Sequence, residues 1–238
     1  MVPKITIVVP VHNEARILEQ NILKTRDTAL SILPNFEIVI AEDGSKDGSD
    51  KIAARLAKKY KEIKFIHSDE RLGKGEAIKR AFKNFNPDIF VLMDADLSVE
   101  PNFLPNLIEK IKNGSDIVIG SRMAHGSKVK RSLKRNVASK TYNWLVRRFF
   151  DVDFTDMQCG FKAFTSDAIS NIIDSVEERH WFFDTELLIR ANMAGYSIEE
   201  IPIEWEEKSH KIKIIKDGRD MISKLIKFWW KMKFEKEN

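Results

Sequence analysis

Along the first 121 positions, short runs of aliphatic and β-branched residues alternate with longer segments whose apolar residues recur every three to four positions. The runs at 5–9, 36–41, 63–67, 89–93 and 117–120 are apolar nearly throughout, as strands covered on both faces must be. The segments between them, 14–31, 47–60, 73–84 and 102–112, carry the period of amphipathic helices. That alternation predicts an α/β fold with a mostly parallel central sheet between two helical layers. Beyond 121 the rhythm changes to a basic amphipathic helix over 132–149, a strand over 159–164, a helix over 184–193 and a strand over 197–203. A basic amphipathic helix closes the chain. With 238 residues and no internal repeat or Gly/Ser/Pro-rich linker, one large domain over 1–207 is expected, its halves meeting near 121, with 208–238 as a helical appendage.

Ligands of an open α/β sheet lie beyond the carboxyl ends of its strands. Those ends carry Pro10-Val11-His12-Asn13-Glu14, Glu42-Asp43-Gly44-Ser45-Lys46-Asp47, Asp94-Ala95-Asp96 and Gly120-Ser121-Arg122. One acidic strand end is an ordinary helix cap; three on one edge point to a ligand. Asp94 and Asp96, two apart at a strand end, suit a hard divalent cation, Mg²⁺ or Mn²⁺, whose remaining ligands come from substrate phosphates. The plain alternative for Asp-x-Asp is a turn before a helix, and for Glu42-Asp43-Gly44-Ser45 a loop whose following helix is capped by Ser45 or Asp47. Lys74, between Gly73 and Gly75, stands where it can approach a diphosphate or simply open a helix in solvent.

Composition excludes other classes. Hydrophobic content of 43% with 32% charged residues belongs to a folded globular chain. The single cysteine, Cys159, rules out a disulfide scaffold or a cysteine-built metal site and reads as a small core residue. The five histidines lack metal-ligand spacing. A net charge of +4 is too mild for a nucleic-acid binder. It hides segregation, however: residues 1–121 balance, 122–148 hold 9 basic and no acidic side chains, 149–207 hold 14 acidic against 3 basic, and 208–238 hold 10 basic against 4 acidic. No run reaches the roughly 18 apolar residues of a membrane span, and the first strand leaves no room for a signal peptide, so a cytoplasmic location is expected.

The chain resembles the inverting GT-A glycosyltransferases of family 2 through Val9-Pro10-Val11-His12-Asn13-Glu14, Glu42-Asp43-Gly44-Ser45-Lys46-Asp47-Gly48, Arg71-Leu72-Gly73-Lys74-Gly75 and Asp94-Ala95-Asp96. Gly120-Ser121-Arg122, Asp156-Met157-Gln158-Cys159-Gly160-Phe161-Lys162 and Phe183-Asp184-Thr185-Glu186-Leu187-Leu188 narrow the likeness to enzymes that glycosylate polyprenyl (dolichyl) phosphate, most of all dolichyl-phosphate β-glucosyltransferases. The resemblance implies a GT-A fold and a nucleotide sugar, UDP-glucose or GDP-mannose, whose base and ribose lie against Pro10, Glu14 and Asp43 with Glu42 beside them. It implies metal on Asp94 and Asp96, acceptor phosphate on Arg122 and Arg135, and a sugar and acceptor pocket around Asp156, Gln158 and Asp184. Two departures stand out. Ser98 replaces the glutamine that mannosyl relatives carry as a further metal contact, and Lys208-Ser209-His210-Lys211 replaces a Gly-Ser-Lys motif, leaving Lys211 as the candidate for pyrophosphate or acceptor.

Sugar transfer from a diphosphate builds negative charge on the leaving group, which metal and nearby cations stabilise. A hydroxyl acceptor also needs a general base, here Asp156 or Asp184; a phosphate acceptor is already ionised and needs only binding and aim. Arginines suit that task. For Arg122 the competing expectation is a buried salt bridge to Asp94 or a neighbour, and for Arg131 and Lys134 a solvated face. A phosphotransfer site and a non-catalytic nucleotide-binding module are the alternatives from other classes. Finally, Leu133, Val137, Trp144, Leu145 and Phe149 in one basic segment, and Ile222, Leu225, Ile226, Trp229 and Met232 in the other, form apolar stripes among cations. Such stripes pack on a core or lie on a membrane surface.

Overall fold

Alternation within each strand decides which helices it carries. In β1 (Ile5–Val11), Ile5, Ile7, Val9 and Val11 face one layer and Val8 the other. The computed structural model describes residues 2–208 and 214–235. After β1 come α1 (Leu18–Ile32), β2 (Phe36–Glu42), α2 (Ser49–Lys59), β3 (Ile63–Ile66), α3 (Lys74–Asn84), β4 (Ile89–Leu92), α4 (Leu104–Lys112), β5 (Ile117–Ser121), β6 (Lys128–Lys130), α5 (Leu133–Phe150), β7 (Lys162–Thr165), α6 (Ser166–Ile172), α7 (Phe183–Met193), β8 (Ile198–Pro202), β9 (Glu204–Glu206) and α8 (Ile214–Glu235).

Seven strands form one sheet in the order β3-β2-β1-β4-β7-β5-β8. The chain winds outward from β1 to β3, then returns to place β4 on the other side of β1. The crevice at that reversal, beyond the carboxyl ends of β1 and β4, is where an open α/β sheet receives ligand. One strand departs from the parallel rhythm: β7 runs antiparallel between β4 and β5, with Leu92 opposite Lys162 and Ile119 opposite Lys162 on its two sides. It begins at Lys162 rather than 159, so Cys159 and Gly160 stay in the approach loop at the ligand edge.

The helix and strand positions of the first half match expectation closely. Two features carried too little signal. Strands β6 and β9, each three residues long, read Lys-Val-Lys and Glu-Trp-Glu, and pair in a small parallel sheet with Lys128 and Glu204 2.6 Å apart. The seven-residue α6 is too short to show a period; Thr165 caps it by accepting from Ala168 N at 3.3 Å.

The terminal helix is more than an appendage. Met221, Leu225 and Phe228 of α8 are buried in the same core as α3, α5 and α7, which burial of large side chains stabilises by about 1.5–3 kcal/mol each. Ile222, Ile226, Trp230 and Phe234 point outward in a row spaced by four, with Trp230 and Phe234 stacked at 5.1 Å. On α5 the expected stripe also divides: Leu145 and Phe149 pack on the core while Leu133, Val137 and Trp144 are exposed.

Candidate active site

The loops after β1 and β2 are laced together. Asn13 N donates to Ser45 Oγ (2.9 Å), Glu14 N to Ser49 Oγ (2.8 Å) and Ala15 N to Asp47 Oδ2 (2.9 Å), while Asn13 Oδ1 accepts from Lys46 N (2.8 Å). Asn13 lies at φ 53°, a left-handed position that asparagine tolerates. Asp43, buried, accepts from Leu72 N at 2.7 Å and Gly73 N at 2.9 Å, so its first task is to hold the loop before α3. Gly44, at φ 60°, lets that loop close: a Cβ there would lie 2.4 Å from Arg71 N. Glu42 is fully buried and accepts from Ser45 N (2.5 Å) and from His67. The hydrogen bond to Glu42 raises the His67 imidazole above its usual pKa against the pull of burial. Pro10 and Glu14 flank this frame, which stands at the end of the sheet where the resemblance puts base and ribose.

At the end of β4, Asp94 forms an ion pair with Lys74, 2.8 Å from Nζ to Oδ1. Burial opposes the charge on Asp94, but Lys74, with Lys162 and Arg122 farther off, holds its carboxyl below the usual range. Asp96 is pushed the other way, by burial and by Asp94. Ser98, at the position of departure from the mannosyl pattern, orients Asp96 by donating to its Oδ1 from both N and Oγ, each at 2.9 Å. Gly160 lies so close to Asp94 that a Cβ would sit 1.9 Å from Oδ2. Among the described residues no group of three or more His, Cys, Asp or Glu side chains converges to cage a metal. Asp94, paired with Lys74, and Asp96, oriented by Ser98, are hard oxygen donors whose chemistry fits a cation such as Mg²⁺ or Mn²⁺.

A small cavity of about 10 Å³, lined by Met93, Asp94, Ser98, Val99, Gly160, Phe161 and Trp205, lies beside Asp94. Arg122, just past β5, grips Asp156 in bidentate fashion, with Nε and Nη2 each 2.7 Å from a carboxylate oxygen and its own N–H at 2.9 Å. The competing expectation of a buried salt bridge thus holds, with Asp156 rather than Asp94 as partner. Burial would push the Asp156 carboxyl up, yet the Arg122 guanidinium carries it below the usual range. Glu200 supports the pair by accepting from the backbone of Thr155 (2.9 Å) and Asp156 (3.0 Å). Asp184, in the first turn of α7, pairs with the fully buried Lys162 at 2.6 Å. Gln158 donates to Met221 Sδ at 3.0 Å, which ties the loop before β7 to α8.

Arg135 pairs with Glu207 at 2.6 Å. Arg131 was expected on a solvated face and is not there. Its Nε and Nη1 are buried without a hydrogen-bond partner, its guanidinium lies 5.5 Å over the Trp205 ring, and Arg122 lies 5.4 Å over the same ring. Burial and the like charge of Arg122 bring the Arg131 pKa down to about 10. Ser139 Oγ and Asn143 Nδ2, buried on α5, also lack partners. Lys134 is exposed as expected, and Lys211 lies outside the described residues. The sequence assigned no role to Lys162 or Trp205, whose partners Asp184, Arg122 and Arg131 lie 22 or more positions away, and the burial of Arg131 against Trp205 has the same long-range origin.

Residues 6–173 match the glycosyl transferase family 2 domain. Glycosyltransferase AglD of Haloferax volcanii is 41% identical over 233 residues, covering 96% of this chain but 37% of its own length, so the chain spans well under half of that relative. The dolichyl-phosphate beta-glucosyltransferase ALG5A of Trichomonas vaginalis is 32% identical over 233 residues, 92% of this chain and 72% of that protein. Among solved structures, glucosyl-3-phosphoglycerate synthase of Mycobacterium tuberculosis with Mn²⁺, UDP and phosphoglyceric acid shares the fold, with a TM-score of 0.70 at 17% identity over 95% of this chain and 78% of that one.

Proposed function

The chain belongs to glycosyl transferase family 2, and from that premise we propose that it moves a hexose from a nucleotide sugar onto a polyprenyl (dolichyl) phosphate with inversion. UDP-glucose is the favoured donor and GDP-mannose the second. The observation that carries this reading is the state of the two candidate bases. Asp156 is locked on Arg122 and Asp184 on Lys162, both in buried ion pairs; the Arg122 guanidinium holds the Asp156 carboxyl below its usual range, which makes it a poor proton acceptor at neutral pH, and Asp184 is engaged by the Lys162 ammonium group. A hydroxyl acceptor would need one of them; a phosphate acceptor needs neither. Beside them stand the orphaned donors of Arg131, flanked by Arg122 and Arg135, a cationic cluster suited to a phosphate.

In this reading Pro10, Glu14, Glu42 and Asp43 frame the nucleoside. Asp94 and Asp96 hold Mg²⁺ or Mn²⁺, which supplies charge stabilisation at the departing diphosphate. Lys74 meets the same diphosphate, Gln158 meets hexose hydroxyls, and Arg122 with Asp156 braces the acceptor side. The basic helices bring the enzyme to the cytoplasmic face of a membrane: no helix among the described residues is long and apolar enough to cross one, whereas Trp144, Trp230 and Phe234 are exposed among lysines and arginines.

The test combines purified protein, Mg²⁺ or Mn²⁺, radiolabelled sugar nucleotides and a short polyprenyl phosphate, with extraction of labelled lipid as readout. Labelled lipid from one donor supports the proposal; none from any donor, despite tight nucleotide binding, defeats it. Asp156→Asn adds a second criterion. A loss of several orders of magnitude in turnover, with donor binding intact and the acid limb of the pH–rate profile abolished, would identify Asp156 as a base and favour a hydroxyl acceptor.

A further inference from the structure

We propose that Lys74 is a resident counter-cation of the metal carboxylate Asp94, competing with a divalent cation for it and releasing it to the metal when a diphosphate takes up the ammonium group. The inference rests on the reading that Asp94 and Asp96 bind the metal of a nucleotide donor. Three features of the geometry carry it. Lys74 Nζ contacts Asp94 Oδ1 at 2.8 Å, and the two side chains are 19% and 34% exposed, enough for a ligand to reach them and too little for water to screen them fully. The Asp94 carboxylate is seated against Gly160, where a Cβ would lie 1.9 Å from Oδ2. The Lys74 backbone is fixed: Gly73, at φ 117°, packs on the Arg179 carbonyl, and Glu76 N donates to that carbonyl at 3.1 Å. From that fixed backbone the long lysine side chain, its Nζ 5.8 Å from the Trp181 ring centroid, can swing between partners.

Charge then sets the order of events. Two carboxylates and one ammonium leave the site with a single net negative charge, so a dication entering alone must share Asp94 with Lys74 and sits beside a like charge. A nucleotide diphosphate brings oxygens for both cations: it completes the sparse coordination of the metal and accepts the lysine. Metal and nucleotide thus favour each other's entry, and free metal is held poorly.

Mn²⁺ and UDP binding, each measured alone and together by calorimetry and by the electron paramagnetic resonance of free Mn²⁺, tests this on the wild type and on Lys74→Met, Lys74→Arg and Asp94→Asn. Lys74→Met is expected to bind Mn²⁺ alone about tenfold more tightly than wild type and UDP alone more weakly, with Lys74→Arg close to wild type on both. A lysine that merely props Asp94 in place predicts the opposite sign, so unchanged or weakened Mn²⁺ binding by folded Lys74→Met overturns the proposal. Wild-type binding of Mn²⁺ with UDP by Asp94→Asn would instead overturn the metal-site reading beneath it. GDP in a parallel series guards against the wrong choice of base.

Discussion

Gly160→Ala places one methyl group against Asp94 of the proposed metal site. Gly160 is not among the positive-φ glycines, so alanine meets no backbone strain there, only the carboxylate of Asp94. Its Cβ would lie 1.9 Å from Oδ2, 2.3 Å from Cγ and 2.5 Å from Oδ1. To restore an ordinary van der Waals separation the carboxylate must retreat by about 1.5 Å, breaking the contact with Lys74 and leaving its place beside Asp96. Catalytic groups tolerate displacements of only about 0.5 Å, and 1 Å costs on the order of 100-fold in rate. Turnover should therefore fall about 100-fold or more, equivalent to about 2.7 kcal/mol in the barrier. Overpacking itself costs about 1–3 kcal/mol of stability, and for a domain of this size each kcal/mol lowers Tm by about 2–4 °C. The assay is lipid glycosylation alongside Mn²⁺ titration with UDP and thermal unfolding. The companion Asp94→Ala/Gly160→Ala should regain stability, since the clash is gone, but not metal affinity. A Gly160→Ala enzyme with wild-type Mn²⁺ affinity and turnover would refute the placement of Asp94 as a metal ligand seated on Gly160.

Arg131→Met should raise the KM for polyprenyl phosphate about 10- to 100-fold, the worth of a charge-assisted hydrogen bond, while leaving donor KM unchanged; an unaltered acceptor KM would remove Arg131 from the acceptor site. The same variant should match or exceed wild type in thermal unfolding, because it relieves buried unpartnered donors and repulsion from Arg122. His67 has a folded-state pKa above its ordinary value, so its contribution to stability is complete below about pH 6.5 and is lost as pH rises through the folded value. The Tm gap between wild type and His67→Gln should accordingly be wider at pH 6 than at pH 8.5, and a gap independent of pH would argue against the Glu42–His67 pair. Trp144→Ser/Trp230→Ser, at exposed positions, should keep its Tm but lose sedimentation with vesicles containing anionic lipid, and wild-type binding should weaken with salt; equal sedimentation of both proteins would place the membrane contact elsewhere.

Sequence alone determined the layered α/β architecture and the ligand edge of the sheet. Buried strands such as Phe36–Glu42 and Ile89–Leu92 are apolar nearly throughout, so the polar residues that follow them are visible as strand ends. Pro10, Glu14, Glu42, Asp43, Asp94 and Asp96 are legible as strand-end residues for that reason, because a short polar run ends each apolar strand. Tertiary structure decided how the charged side chains pair, which local pattern does not encode. Asp156 meets Arg122 from 34 positions away, Lys162 meets Asp184 from 22, and Lys74 meets Asp94 from 20. It also turned β7 against the parallel strands, carrying Gly160 under Asp94, and folded the inner face of α8 into the core while leaving Ile222, Ile226, Trp230 and Phe234 outside. Hydrophobic periodicity is a property of neighbours along the chain and survives in one dimension; the partner of a buried charge is whichever opposite charge the packed sheet brings within hydrogen-bonding distance.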